Sequence, residues 1–315
     1  MQNPHKRVIN DSSFINVIQQ FRQIKSIYQE ATVTGIPHNY MSSYTDEIDC
    51  SRVGFTEIPD LSHINGLNLL NCSFNKLTQL PELPSILRVL NCSNNSLMVL
   101  PNFQRSLHLR ELNCSHNLLV ELPDLSKLGI LSENLRPLPL TTLDLTILEL
   151  TTLDCSYNYL TKINELPNGL RTFDCRFNKI EQLHRLPESL CCLICCDNEL
   201  VSLPELPNNL GSLSCQNNKI IQLPELPNNL CGLSCQNNNL SRLPELPEKL
   251  AYLSISDNPL IKLPTLPKLF YTRGILECSD DQISLIPEDF PKQQLKILPS
   301  KNLKITYEDL IDLTY

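Results

Sequence analysis

Apolar and polar positions along this chain follow a beat of 20 residues. In the stretch 210–223, Leu213 and Cys215 alternate with Ser212, Ser214 and Gln216. This period of two is that of a short strand, with Leu213 and Cys215 toward a core and the other three toward solvent. Asn218 ends the strand. Its amide both donates and accepts, so stacked Asn198, Asn218 and Asn238 can bridge the backbones of successive turns. Before the strand, Leu-Pro-Glu-Leu-Pro at 203–207 places proline twice, which forbids a regular helix and favours an extended, polyproline-like path. The segment L-x-x-L-x-C-x-x-N returns at Cys155/Asn158, Cys175/Asn178, Cys195/Asn198, Cys215/Asn218 and Cys235/Asn238. Upstream it runs through Cys72/Asn75, Cys92/Asn95 and Cys114/Asn117. A fixed period of this kind predicts a solenoid, in which each turn is stable only against its neighbours.

The pattern also predicts the ends. Residues 1–10 read as a frayed terminus. Phe14, Val17, Ile18, Phe21, Ile24 and Tyr28 then recur at helical spacing after the capping candidates Asp11, Ser12 and Ser13. The stretch 1–44 is therefore expected to hold a helix, about 13–30, that covers the first rung. The solenoid is expected over 45–300, about 12–13 repeats. Its first rung is Ile48-x-Cys50, Ile255 and Cys278 carry later ones, and Leu295 and Ile297 form the last. From Cys114 to Cys155 the spacing is 41, close to two periods, and T-T-L-D-L at 141–145 is echoed by T-T-L-D-C at 151–155. A degenerate, irregular rung is expected near 125–150. The apolar tail 301–315 is expected to cap the far end.

Composition narrows the function. Of 14 cysteines, ten hold the inward register and act as small buried hydrophobes. Rungs about 4.8 Å apart are too far apart for the roughly 3.5–4.5 Å Cβ separation of a disulfide. Free thiols and a reducing compartment follow. The net charge is −8, with 26 basic residues scattered among 34 acidic ones, which argues against nucleic acid. No stretch is apolar enough to span a membrane, and the first 30 residues lack the core of a cleavable signal peptide.

The consensus is that of a leucine-rich repeat. The 20-residue beat with Leu-Pro-Glu-Leu-Pro intact at 80–84, 203–207, 223–227 and 243–247 resembles the bacterial LPX-type effectors, whose YopM- and IpaH-like members enter host cells by dedicated secretion systems. The resemblance covers about 45–300 and implies a parallel sheet on the concave face, an extended convex face and an N-terminal helical cap. This chain has Cys where the common form has Val or Leu. Its Asn-, Ile- and Lys-rich composition, with Leu313 near Glu308 and Asp309, also resembles Legionella Dot/Icm substrates. The resemblance implies a secreted effector, without a cleavable signal, that binds a host protein in the host cytoplasm. IpaH-like relatives add a ubiquitin-ligase domain with a catalytic Cys-x-Asp, and the chain ends too soon to hold one. An adaptor that recruits a host enzyme, or the recognition part of such a ligase, is the alternative.

Candidate chemistry is sparse. Cys195-Cys196-Asp197 and Cys278-Ser279-Asp280 imitate the ligase motif, but Cys195 and Cys278 hold buried positions. Cys191, Cys192, Cys195 and Cys196 invite zinc. Along a strand, however, Cys192 and Cys196 lie about 13 Å apart, too far to share an ion. They remain candidate exposed thiols. No phosphate loop, nucleophile elbow or zincin motif occurs, so no catalytic residue, cofactor or metal is expected. The outward positions carry the information. The column before the ladder Asn reads Phe74, Asn94, His116, Tyr157, Phe177, Asp197, Asn217, Asn237 and Asp257. One column inward, Asp154 and Asp174 interrupt Asn and Ser. The candidate partner-binding residues are Glu111, His116, Thr152, Asp154, Tyr157, Thr172, Asp174, Arg176 and Phe177, since exposed aromatics and Arg favour interfaces. A second reading gives the rings the task of shielding the strand-to-loop bend. Glu82, Glu205, Glu225 and Glu245 form an acidic ridge on the proline side.

Overall fold

The computed structural model describes residues 46–62, 64, 66–103, 108–126, 128 and 150–298. Twelve short strands emerge among them: β1 Glu47–Asp49, β2 Leu69–Asn71, β3 Val89–Asn91, β4 Glu111–Asn113, β5 Thr152–Asp154, β6 Thr172–Asp174, β7 Cys192–Ile194, β8 Ser212–Ser214, β9 Gly232–Ser234, β10 Tyr252–Ser254, β11 Ile275–Ser279 and β12 Leu295–Leu298. They form one sheet in chain order, and successive strands are parallel. Each parallel step consumes one turn of the spiral. The proline-bearing return legs contain no α-helix among the described residues; 3₁₀ turns occur, among them Lys268–Tyr271, Asp280–Leu285 and Lys292–Gln294. The helix expected at 13–30, the connector up to residue 44 and the tail 301–315 lie outside the described residues.

Register places like on like. Leu70, Leu90, Leu112, Leu153, Phe173, Leu193, Leu213, Leu233 and Leu253 stack as one buried row. Beside it runs the cysteine row, Cys50, Cys72, Cys92, Cys114, Cys155, Cys175, Cys195, Cys215 and Cys235, every member fully buried. Burial pushes these thiols well above their ordinary range, because an interior of low polarity disfavours the thiolate. Several find a weak acceptor one rung on: Cys114 Sγ lies 3.4 Å from Asp154 O and Cys155 Sγ 3.5 Å from Asp174 O. All fourteen cysteines are free.

The asparagine at each bend closes the stack. Asn198 Nδ2 lies 3.2 Å from Cys195 O and 3.1 Å from Cys196 O in its own rung, and 3.0 Å from Cys175 O in the rung before. Its Oδ1 accepts from Ile180 N at 3.0 Å. Asn178, Asn218, Asn238 and Asn258 repeat the pattern. One amide thus satisfies four main-chain groups in a buried bend where water is excluded.

Two expectations are corrected. First, no degenerate rung separates Cys114 from Cys155. Glu111 pairs with Thr152, Leu112 with Leu153 and Asn113 with Asp154, so β4 and β5 are direct neighbours. The rejected copy, T-T-L-D-L, carries Leu148 where the ladder needs Asn; only the copy ending in Cys155 supplies Asn158 for the bend. Second, Ser212, Ser214 and Gln216 do not meet solvent. They occupy the outward register but are buried, because small side chains on closely spaced strands are covered by the rows beside them. Ser214 Oγ turns to Gln216 Oε1, 2.6 Å away.

Asn198→Ala should lower unfolding free energy by about 3 kcal/mol in urea titration, since it strands buried main-chain groups. Asn237→Gly, one residue from the ladder with φ 52°, should change it by less than about 0.5 kcal/mol. In native protein, iodoacetamide should modify exposed Cys191 first and half-buried Cys192 and Cys231 more slowly. The ladder thiols should react only in denaturant, as read by mass spectrometry.

Candidate protein-binding surface

The bend column is where side-chain choice conflicts with the backbone. Each residue just before a ladder Asn is left-handed, with φ of 54° at Phe74, 55° at Asn94, 52° at His116, Tyr157 and Phe177, 55° at Asp197, 57° at Asn217, 52° at Asn237 and 55° at Asp257. Asn and Asp tolerate this region; bulkier side chains meet the following carbonyl at a cost of about 1–2 kcal/mol each. Four rungs nevertheless carry aromatic rings. His116 and Tyr157 stack with centroids 4.0 Å apart and planes 12° apart, and Tyr157 and Phe177 with 4.3 Å and 16°. Each contact returns about 0.5–1.5 kcal/mol, so stacking offsets part of the strain. The rings do cover one another at the bend, yet they stay open to solvent: Tyr157 is 38% exposed, His116 is exposed and Phe177 half-exposed. The Asp and Asn rungs run on as an amide ladder, Asn217 Nδ2 to Asp197 Oδ1 and Asn237 Nδ2 to Asn217 Oδ1, each 2.9 Å.

Inside this column the predicted carboxylates have local work. Asp154 Oδ1 accepts from Ser156 N and Oγ at 3.0 and 2.7 Å. Asn71, Asn91 and Asn113 do the same with Ser73, Ser93 and Ser115. The sequence signal was the recurring Asn-Cys-Ser and Asp-Cys-Ser, an acceptor two residues ahead of a hydroxyl. Asp174 accepts from Arg176 N at 3.1 Å and pairs with Arg176 Nε at 3.2 Å. It is only 7% exposed and stands beside Asp154 across the ladder. Burial, helped by the Asp154 charge and opposed by Arg176, pushes its pKa up to about 7. Desolvation lowers that of His116. The predicted surface therefore divides. His116, Asp154, Tyr157, Asp174, Arg176 and Phe177 gather at the strand ends. Glu111, exposed, and Thr152 and Thr172, half-buried, form a separate row at the strand starts. Asp174 is a buried support for Arg176 rather than an exposed contact.

The chain superposes on YopM, a leucine-rich effector protein from Yersinia pestis, with 33% identity and a TM-score of 0.62 over 71% of this chain and 57% of that one. YopM from Yersinia enterocolitica gives 33% and 0.54 over 81% and 58%. The functional domain of InlJ from Listeria monocytogenes, which includes a cysteine ladder, gives 28% and 0.57 over 74% and 48%. The fold is a leucine-rich-repeat solenoid. This chain thus spans little more than half the length of the YopM structures. No protein-family model matches it, and neither does any curated protein.

The far end of the solenoid holds a polar network that the serine-rich pattern concealed. Tyr252 Oη donates to Glu277 Oε2 at 2.7 Å, and Lys296 Nζ reaches Glu277 Oε1 at 3.3 Å. All three depart from the Ser and Gly of their columns, which was the available signal. Tyr252 and Glu277 are buried, and burial, then the carboxylate, raises the phenol's pKa. The expected exposed thiol Cys196 is also buried, at 3%; Cys191 is the exposed member of that run. Cys195 and Cys278 of the two ligase-like tripeptides are buried as expected. No cluster of metal-ligating side chains occurs among the described residues.

Because Asp174 binds its proton more tightly folded than unfolded, native stability should fall as pH rises from about 4 to about 7. Asp174→Asn copies the Asn of β2 to β4 and keeps the acceptor for Arg176 N. Chemical denaturation at several pH values should show this variant level with wild type near pH 3.5 and more stable at pH 8 by roughly 2–4 kcal/mol.

Proposed function

We propose that this chain is a non-enzymatic protein-binding module of the effector type, which docks a host protein on its sheet surface with residues 152–177 as the anchor. The observation that carries this reading is the aromatic run. His116, Tyr157 and Phe177 are held in left-handed backbone at a cost that Asn would avoid, and their rings remain accessible. Strain kept at solvent-facing rings is what a binding role would retain, and large rigid rings beside Arg176 are typical anchors. The Leu-Pro-Glu-Leu-Pro legs and the likeness to YopM support an LPX-type effector. Free thiols throughout support action in a reducing host cytoplasm. An adaptor role has one specific support: Glu82, Glu205, Glu225 and Glu245 are all exposed on the proline side, leaving a second, acidic face for another protein.

Tyr157→Asn with Phe177→Asn decides between anchor and bend shield. The double variant should melt no lower than wild type and should lose the host protein crosslinked in lysate, whereas Glu205→Lys with Glu225→Lys should retain it. A lower melting temperature with unchanged capture would make the rings structural. Incubation with charged ubiquitin-conjugating enzyme should yield no transfer dependent on Cys195 or Cys278.

A further inference from the structure

The aromatic column has a gap one rung deep, at Asn94. Successive members follow the backbone ladder: Phe74 N donates to Ser93 O, Asn94 N to Ser115 O and His116 N to Ser156 O. Their φ values agree within a few degrees, so the side chains leave the sheet in the same direction. Arg52 already lies over one face of Phe74, its guanidinium carbon 3.7 Å from the ring centroid. Tyr157 covers one face of His116. The remaining faces of Phe74 and His116 look toward each other across the Asn94 rung, two ladder steps or about 9 Å apart. Asn94 is too short to fill that space, and its Nδ2 turns down to Ser93 Oγ at 3.3 Å. Its Oδ1 remains available as an acceptor in that rung.

We propose that the slot between Phe74 and His116 takes an arginine side chain of a partner protein, its guanidinium sandwiched between the two rings. A planar group midway in the opening lies about 4.5 Å from each wall, within the roughly 6 Å reach of a cation over a ring, and Arg is the cation that stacks flat on rings. Arg52 on Phe74 shows the same contact in this molecule. Asn94 Oδ1 supplies an acceptor for a guanidinium N–H, which an inserted aromatic ring could not use. The net charge of −8 favours a cation. Desolvation keeps His116 below its ordinary pKa, so at pH 7 its ring does not repel one. The slot rests on the protein-binding reading and shares His116 with the aromatic run, but it uses none of the carboxylates around Asp154 and Asp174, and Phe177→Asn separates the two.

The test is an NMR titration of the full chain with N-acetyl-arginine methylamide, set beside the lysine and phenylalanine analogues. The arginine δ-methylene protons should move upfield under the two ring currents, and the lysine analogue should bind at least about fivefold more weakly. Phe74→Ala, His116→Ala and the slot-filling Asn94→Phe should each abolish the shift, while Phe177→Asn should preserve it. Circular dichroism of each variant reports whether the solenoid persists. Since three separate variants close or dismantle the slot, failure of one to fold leaves two readouts. Equal binding of the lysine analogue would reduce the effect to bulk charge and overturn the proposal. Preference for the phenylalanine analogue, or shifts that survive Asn94→Phe, would overturn it as well.

Discussion

The bend after each strand is the constraint on which the rest depends. A chain that reverses direction every few residues leaves main-chain groups pointing into a dry interior, and each unpaired one costs about 1–3 kcal/mol. The ladder asparagine resolves this with a single amide that reaches two rungs at once. It also fixes the neighbouring residue in left-handed backbone. The core leucines give the stack its driving force, but they would pack in many registers. The amide permits one.

Once the register is fixed, each side chain meets its counterpart on the next rung, and the columns behave as one-dimensional chains of like chemistry. Rings lie on rings, amides on amides, and Lys219 on Glu199 at 2.8 Å. A second column, Ser189, Asn209 and Asn229, ties the proline legs together by reaching back one rung to a carbonyl. Such columns stabilise only through repetition, since no single rung holds a complete interaction. They also mean that a functional departure in one rung shows as a break in a series.

That is why the fold was legible and the site only partly so. Period, inward register, ladder asparagines and helix-free return legs follow from local rules that each repeat restates. A degenerate rung was expected between Cys114 and Cys155 because spacing alone does not show whether intervening residues join the sheet; the absence of a partner Asn near Leu148 was the better guide. The serine and glutamine columns were read as wet because alternation reports the direction of a side chain, and not whether its neighbours cover it. Asp154 and Asp174 looked like free charges because their hydrogen bonds run two residues along the same strand, a distance at which a composition scan sees only polarity. Tyr252 and Glu277 were passed over for the opposite reason: their contact spans 25 residues and crosses a 23-residue repeat.

The direct pairing of β4 with β5 separates chain length from architecture. Because both lips of that seam are sewn by main-chain bonds, from Cys114 N to Asp154 O at 2.8 Å and His116 N to Ser156 O at 3.0 Å, the spiral does not register how much polypeptide departs and returns there. The number of residues between the two strands can therefore change without re-tuning the register of a single tread. The molecule thus carries a built-in grafting point, where sequence can be exchanged while the scaffold stands still.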